Sequence, residues 1–400
     1  MSSKTKKGDV LLDIKGLHIE GFSDEKWHEI IKGIDLTLHR GEVMGLIGES
    51  GAGKSTLGLA AMGYTQPGCR ITGGTITFDG EDLTNLSDAE MRRYWGNKMT
   101  YVAQSAAASF NPAHRLIEQT TSSTIRFGIK DRAEAYKDAH QLYAALNLPD
   151  PDRIGDRYPH QVSGGQLQRV MTAMAMSPRP DLIIFDEPTT ALDVTTQVEV
   201  LSSMRAIVEE FNTAAIYITH DLAVVAQMAD VIKVLRYGEE VEEADTRKML
   251  KSPKEAYTKS LWSVRALQKE TQKPSEAIMS LRGIDAAYGS AKVLFGVDIE
   301  VPRGSTVAVV GESGSGKSTT ARVITGLLPQ SSGTVLFDGA ELPTRLADRN
   351  KEQKRRIQMI YQMADTAMNP RQTVRDIIGR PLEFYLGMQG KANTDRVIEL

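Results

Sequence analysis

Cysteine is nearly missing from these 400 residues: Cys69 stands alone. A single thiol closes no internal disulfide and builds neither an iron–sulfur cage nor a cysteine-based zinc site. The count suits a reducing compartment, and Cys69 itself reads as a small residue near a turn. Long apolar runs are missing too. No stretch approaches the roughly 18–20 apolar residues needed to cross a bilayer, and the Lys- and Ser-rich start, Met1 to Asp9, is not followed by the apolar core of a secretory signal. Charge of one sign is also scarce. A net charge of −3 gives no global basic field for nucleic acid. With 41% hydrophobic and 25% charged residues, the composition is that of an ordinary folded protein, and the length allows two to three domains.

What the chain does have is a repeat. Gly33–Thr56 is answered by Gly296–Thr319, and both runs end in a glycine-rich loop followed by Lys-Ser-Thr. Gly73–Leu83 is answered by Ser332–Leu342. Met99–Pro112, with Gln104, is answered by Ile357–Pro370, with Gln362. Matched blocks in the same order mean a duplicated domain. The first copy is expected over 1–262, a polar linker with a proline over 263–277, and the first part of a second copy over 278–400. The second copy reaches Leu400 before any counterpart of Leu182–Phe185 or Ala215–Thr219, so its parallel sheet is expected to expose an apolar face. The natural polypeptide is therefore expected to continue past Leu400. Strands alternating with helices place the first copy in the α/β class with a largely parallel sheet.

Gly48-Glu49-Ser50-Gly51-Ala52-Gly53-Lys54-Ser55 fits Gly-x-x-x-x-Gly-Lys-Ser/Thr between an apolar strand (Val43–Ile47) and a helix. Glycines let the backbone approach phosphate, and the helix N-terminus favours negative charge. Lys54 is expected to reach the β- and γ-phosphates and Ser55 to ligand Mg²⁺, with Thr56 beside them. Gly311, Gly314, Gly316, Lys317, Ser318 and Thr319 repeat the pattern, and the same strand–loop–helix context is expected there. Leu182–Phe185 is an apolar strand ending in Asp186 and Glu187, suited respectively to a Mg²⁺ shell and to polarising an attacking water. Ser163-Gly164-Gly165-Gln166 opens a helix, with Ser163 as its cap.

The order of these elements carries a resemblance. P-loop, Gln104, Ser163–Gln166, Asp186–Glu187, Ala191-Leu192-Asp193 and His220 stand in the order of the ATP-binding cassette, and the first copy resembles an ABC ATPase from end to end. The resemblance implies a P-loop NTPase fold with an antiparallel β subdomain and a helical subdomain, duplicated. It implies ATP and Mg²⁺ as cofactors. By position it makes Gln104 a γ-phosphate sensor that contacts Mg²⁺ or water, with Gln362 as its second-copy equivalent. It makes Asp193 a link to the opposite site and His220 a switch on the γ-phosphate. Tyr288 is placed to stack on adenine in the second copy; Phe22 is placed for this in the first, with Trp27 as the alternative. In this family two domains dimerise head to tail, each ATP lying between the P-loop of one and the Ser-Gly-Gly-Gln of the other.

The segments after Gln104 and Gln362 resemble the extension of the oligopeptide/dipeptide importer ATPases. Tyr158–Val170 resembles that subfamily as well, and Ser252–Leu261 does so in part. Two such domains on one chain look like the fused peptide- or glutathione-type importers. That implies transmembrane permease partners, an extracytoplasmic solute-binding protein, and a peripheral place on the cytoplasmic face of the inner membrane. Phe110 and Pro112 are expected to shape the surface that receives a permease coupling helix. Many members carry a cysteine-rich tail after an ATPase domain, which the first copy lacks. Two alternatives compete. One is a two-cassette translation factor, which would have a long charged helical linker. The other is a regulatory module that binds ATP without turning it over, against which Glu187 and His220 both speak.

Overall fold

The computed structural model describes residues 8–189, 194–263, 275–311, 314–361 and 367–400. The chain divides into two compact units, Met1–Gln268 and Lys269–Leu400.

In the first unit β1 (Val10–Ser23) and β2 (Lys26–His39) pair antiparallel, and β4 (Cys69–Phe78) with β5 (Glu81–Asp82) completes a sheet ordered β2-β1-β4-β5. Their apolar residues form the inner face: Leu12, Ile14, Leu17 and Ile19 on β1 and Ile34, Leu36 and Leu38 on β2 are all buried. Cys69 opens β4, free and partly buried.

The second sheet is ordered β10-β9-β3-β8-β7-β6, built from β3 (Val43–Ile47), β6 (Met99–Val102), β7 (Leu182–Asp186), β8 (Ala214–Ile218), β9 (Val231–Arg236) and β10 (Glu239–Asp245). All its pairings are parallel except β9 with β10. Every residue of β3, β7 and β8 is buried, as strands covered on both faces must be. The strand register aligns the ends of neighbouring strands: Leu46 pairs with Ile218, Ile218 with Asp186, and Phe185 with Val102. The segments leaving β3, β6, β7 and β8 therefore emerge at one edge, the carboxyl edge, where open α/β sheets bind ligands.

Helix α1 (Lys54–Ala60) follows β3; the short α2 (Asp88–Met91) and α3 (Ala106–Ser109) flank β6. The helical subdomain is α4 (Leu116–Arg126), α5 (Arg132–Ala145) and α6 (Gly164–Met176), packed on a cluster that includes Leu142, Tyr143, Val170 and Met171. Phe110 is 5% exposed and belongs to the same cluster. This corrects the expectation that it shapes a docking surface: an aromatic ring beside a helical core is drawn into it, and only Pro112 of that pair is exposed. Helices α7 (Val194–Glu210), α8 (Leu222–Met228), α9 (Thr246–Lys251) and α10 (Ala256–Ser263) complete the unit.

The second unit has β11 (Ala277–Tyr288), β12 (Ala291–Pro302), β13 (Ser332–Phe337) and β14 (Ala340–Glu341) in an antiparallel sheet ordered β12-β11-β13-β14. Its helices are α11 (Lys317–Thr325), α12 (Lys351–Arg356), α13 (Val374–Leu386) and α14 (Gly390–Glu399). Strand β11 starts at Ala277, one residue inside the expected linker. The expected strand before the second P-loop does not form. Residues 305–311 carry no strand, and Val307, Val309 and Val310 are 41%, 49% and 87% exposed. In the first unit β3 is held between β8 and β9, which both lie later in sequence; among the described residues of the second unit no strand pairs with 305–311. Among the described residues no helix is long and apolar enough to cross a membrane.

Candidate functional site

The P-loop leaves β3 at Gly48 and enters α1 at Gly53, whose φ of 92° lies in the left-handed region. A Cβ on Gly53 would sit 2.6 Å from Ile31 Cδ1, and one on Gly48 would sit 2.2 Å from the carbonyl oxygen of Leu235. Both the conformation and the close approach require glycine. An open cavity of ≈ 270 Å³ lies over the loop; Gly51, Gly53, Lys54, Ser55 and Thr56 line it together with Gln104, Asp186 and Glu187. Residues expected from separate stretches of sequence are thus brought to one place by the carboxyl edge of the sheet.

Lys54 is 7% exposed, and its Nζ donates to the carbonyls of Gly48 (2.9 Å) and Glu49 (2.8 Å). Burial pulls its ammonium below the usual lysine range, and the Glu187 and Asp186 carboxylates partly offset that. The Ser55 hydroxyl donates to Asp186 Oδ1 at 2.9 Å, and the Tyr101 hydroxyl donates to Oδ2 at 2.7 Å. Burial and the adjacent Asp186 carboxylate raise the Tyr101 phenol well above its ordinary pKa, so it remains a neutral donor.

Glu187 sits between two partners. Gln104 Nε2 donates to its Oε2 at 3.2 Å, and His220 Nδ1 lies 2.9 Å from its Oε1. Its φ is +47°, a conformation that costs a side-chain-bearing residue about 1–2 kcal/mol; its backbone N–H is tied to Ile218 O at 3.0 Å. Such strain persists where the surroundings over-determine it. His220 is the more open of the pair, 57% exposed against 17% for Glu187.

Ser163 caps α6: its Oγ accepts the N–H of Gln166, and Gln166 Oε1 accepts the N–H of Ser163. Ser163 and Gly164 are exposed, and none of Ser163–Gln166 lines the P-loop cavity of their own unit. Phe22 and Trp27 face each other at the tip of the β1–β2 hairpin, ring centres 5.3 Å apart, also outside that lining. The Arg70 guanidinium covers a face of Trp27 at 3.9 Å, whereas Phe22 is 54% exposed. In the second unit Lys317 Nζ donates to Gly311 O at 2.7 Å, and the Tyr288 hydroxyl accepts from Arg322 at 2.7 Å. Ser318 is exposed and Gly314 has φ 86°. Asp193 and Gln362 lie outside the described residues. Sequence reasoning missed Tyr101 and also Gln168, a buried side chain of α6 that donates to Ala103 O beside Gln104 at 3.5 Å.

The model of the ABC transporter family matches residues 31–190 and 294–399. The glutathione import ATP-binding protein GsiA of Salmonella choleraesuis (strain SC-B67) is 32% identical over 97% of this chain and 69% of its own length. Its namesake in Escherichia coli O157:H7 is 31% identical over 99% and 71%. The chain belongs to the ABC transporter family. Dimeric structures of the cassette MJ0796, one of them a post-hydrolysis state bound to ADP and Pi, match at a TM-score of 0.53 with 26% and 27% identity, covering 59% of this chain and 99% of theirs. This ABC protein therefore has the P-loop NTPase cassette fold and is an ATP-binding ATPase. With relatives named as import proteins, the translation-factor alternative is not favoured.

Proposed function

We propose that the first unit is a complete ATP-hydrolysing cassette that powers solute import through a membrane permease, joined by a polar linker that ends before Ala277 to a second cassette that begins with β11. The observation that carries the hydrolytic reading is Glu187, held at the cavity rim between Gln104 and His220 and facing the phosphate loop. Lys54 offsets phosphate charge. Glu187 accepts the proton of the attacking water and orients it. His220 and Gln104 hold Glu187 and read the γ-phosphate. Phe22 stacks on adenine, being the more exposed of the pair at 54% against 41% for Trp27; Tyr288 does the same in the second unit. Asp193, Ser163 and Gly165 act across a head-to-tail dimer.

Mg²⁺ fits the donor set. A small hard cation that keeps several waters and takes phosphate oxygens needs only a few protein oxygens, and Ser55 Oγ and Asp186 Oδ1 stand 2.9 Å apart. Ser55, Asp186 and the Gln104 side-chain oxygen would hold it, with Ser318 and Gln362 as the second-unit counterparts. When bound, it would neutralise charge on the β- and γ-phosphates.

The solute class we favour is peptide or glutathione, delivered by an extracytoplasmic binding protein, with this chain at the cytoplasmic face of the inner membrane. The test is reconstitution with its permease partners, scoring ATP-dependent uptake of glutathione and dipeptides. Uptake that requires ATP and is lost with Lys54→Ala supports the proposal. ATPase activity indifferent to the permease, with no uptake, overturns it.

A further inference from the structure

Asp186 is 8% exposed, and both of its carboxylate oxygens are engaged: Oδ1 by Ser55 and Oδ2 by Tyr101. The two donors differ in kind. Ser55 is part of the P-loop, and its hydroxyl can keep donating its proton while its lone pairs face a cation. Tyr101 belongs to β6. Its strand register pairs it with Ile184, so Asp186 stands two residues further along the neighbouring strand, on the same face. The torsion that orients an Asp carboxylate is broad and two-fold. With Oδ2 unbonded, the group would be free to turn, and a buried oxygen would be left without water or partner.

The geometry points to Tyr101 as a positioning residue that fixes the Asp186 carboxylate so that Oδ1 stays beside Ser55, available to a divalent cation. This rests on the reading of the first unit as a Mg²⁺–ATP site and adds to it the group that orients the ligand. The phenol is not required by the strand. The matching position of the second unit, three residues before Gln362, is Met359, which has no donor. The two units therefore differ at this position, the first carrying a phenol donor where the second carries a thioether. Outer-shell partners of this kind commonly change metal affinity about 10–100-fold.

The test uses the full chain carrying Lys317→Glu, which sets a carboxylate against phosphate at the second P-loop and so removes nucleotide binding there. Equilibrium affinity for a fluorescent ATP analogue is measured in EDTA and in saturating Mg²⁺, for Tyr101 and for Tyr101→Phe, with Tyr101→Met as a second variant that copies the other unit. We expect both variants to keep the EDTA affinity and to reduce the gain conferred by Mg²⁺ by about tenfold. An unchanged gain overturns the role of Tyr101. A parallel fall in both affinities also overturns it, because the residue would then be serving the fold. If the unsubstituted chain gains nothing from Mg²⁺, the parent reading of the site fails, and the proposal with it.

Discussion

The two P-loops of this chain are nearly the same sequence in different surroundings. Their described glycines agree closely: φ is 153° at Gly48 and 154° at Gly311, 92° at Gly53 and 95° at Gly316. Each lysine reaches back to the first glycine carbonyl of its own loop. The segments before the loops do not agree. Val43–Ile47 is a fully buried strand, whereas Val307, Val309 and Val310 are open to solvent. Loop and helix start are local, fixed by glycines and by the turn into the helix. The strand is not local, because it exists only where β8 and β9 give it hydrogen-bond partners on both sides.

The sharpest way to break this comparison is to shorten an apolar side chain in β3. Ile47→Ala should destabilise the first unit by about 2–5 kcal/mol, the range for emptying a buried site. Denaturant unfolding checks it, and a loss within about 0.5 kcal/mol, as for an exposed position, would mean that β3 is not packed as a core strand.

A smaller effect is expected at the lysines. Lys54→Ala should weaken ATP binding at the first loop by about ten- to a hundredfold, roughly 1.5–3 kcal/mol for one charge-assisted contact. Lys317, in a more open site, should cost its own loop less. Calorimetric titration of each variant, with the other lysine intact, orders the two.

The smallest concerns adenine. Phe22→Ala should lower ATP affinity about fivefold, at the low end of a base-stacking contact, while Trp27→Ala should leave it within about twofold. The reverse order would transfer the stacking role to Trp27.

Much of this was legible in the sequence because it is local or because it repeats. Spacing alone marked Lys54 and Ser55, and an apolar run ending in two acids marked Asp186 and Glu187. The features that were not legible depend on distant neighbours. Phe110 sits in a polar-flanked loop, yet it is buried as a member of the cluster that the helical subdomain packs on. Tyr101 looked like an ordinary strand residue, since only the β6–β7 register brings it to Asp186. A polar-tipped residue in an apolar strand, three before Gln104, was the signal that could have pointed to it. The +47° φ of Glu187 has no trace in composition, for it arises from the turn leaving β7 and the tie to Ile218.

The central claim is that the first unit hydrolyses ATP through Glu187, and Glu187→Gln tests it most directly. In the chain assembled with its permease partners, ATP binding and steady-state hydrolysis are measured on the same preparation. The account predicts binding within about threefold of the parent and turnover at that site reduced by about 10²–10⁴-fold, the contribution of a positioned general base. Turnover at the parent rate, with binding intact, would contradict it.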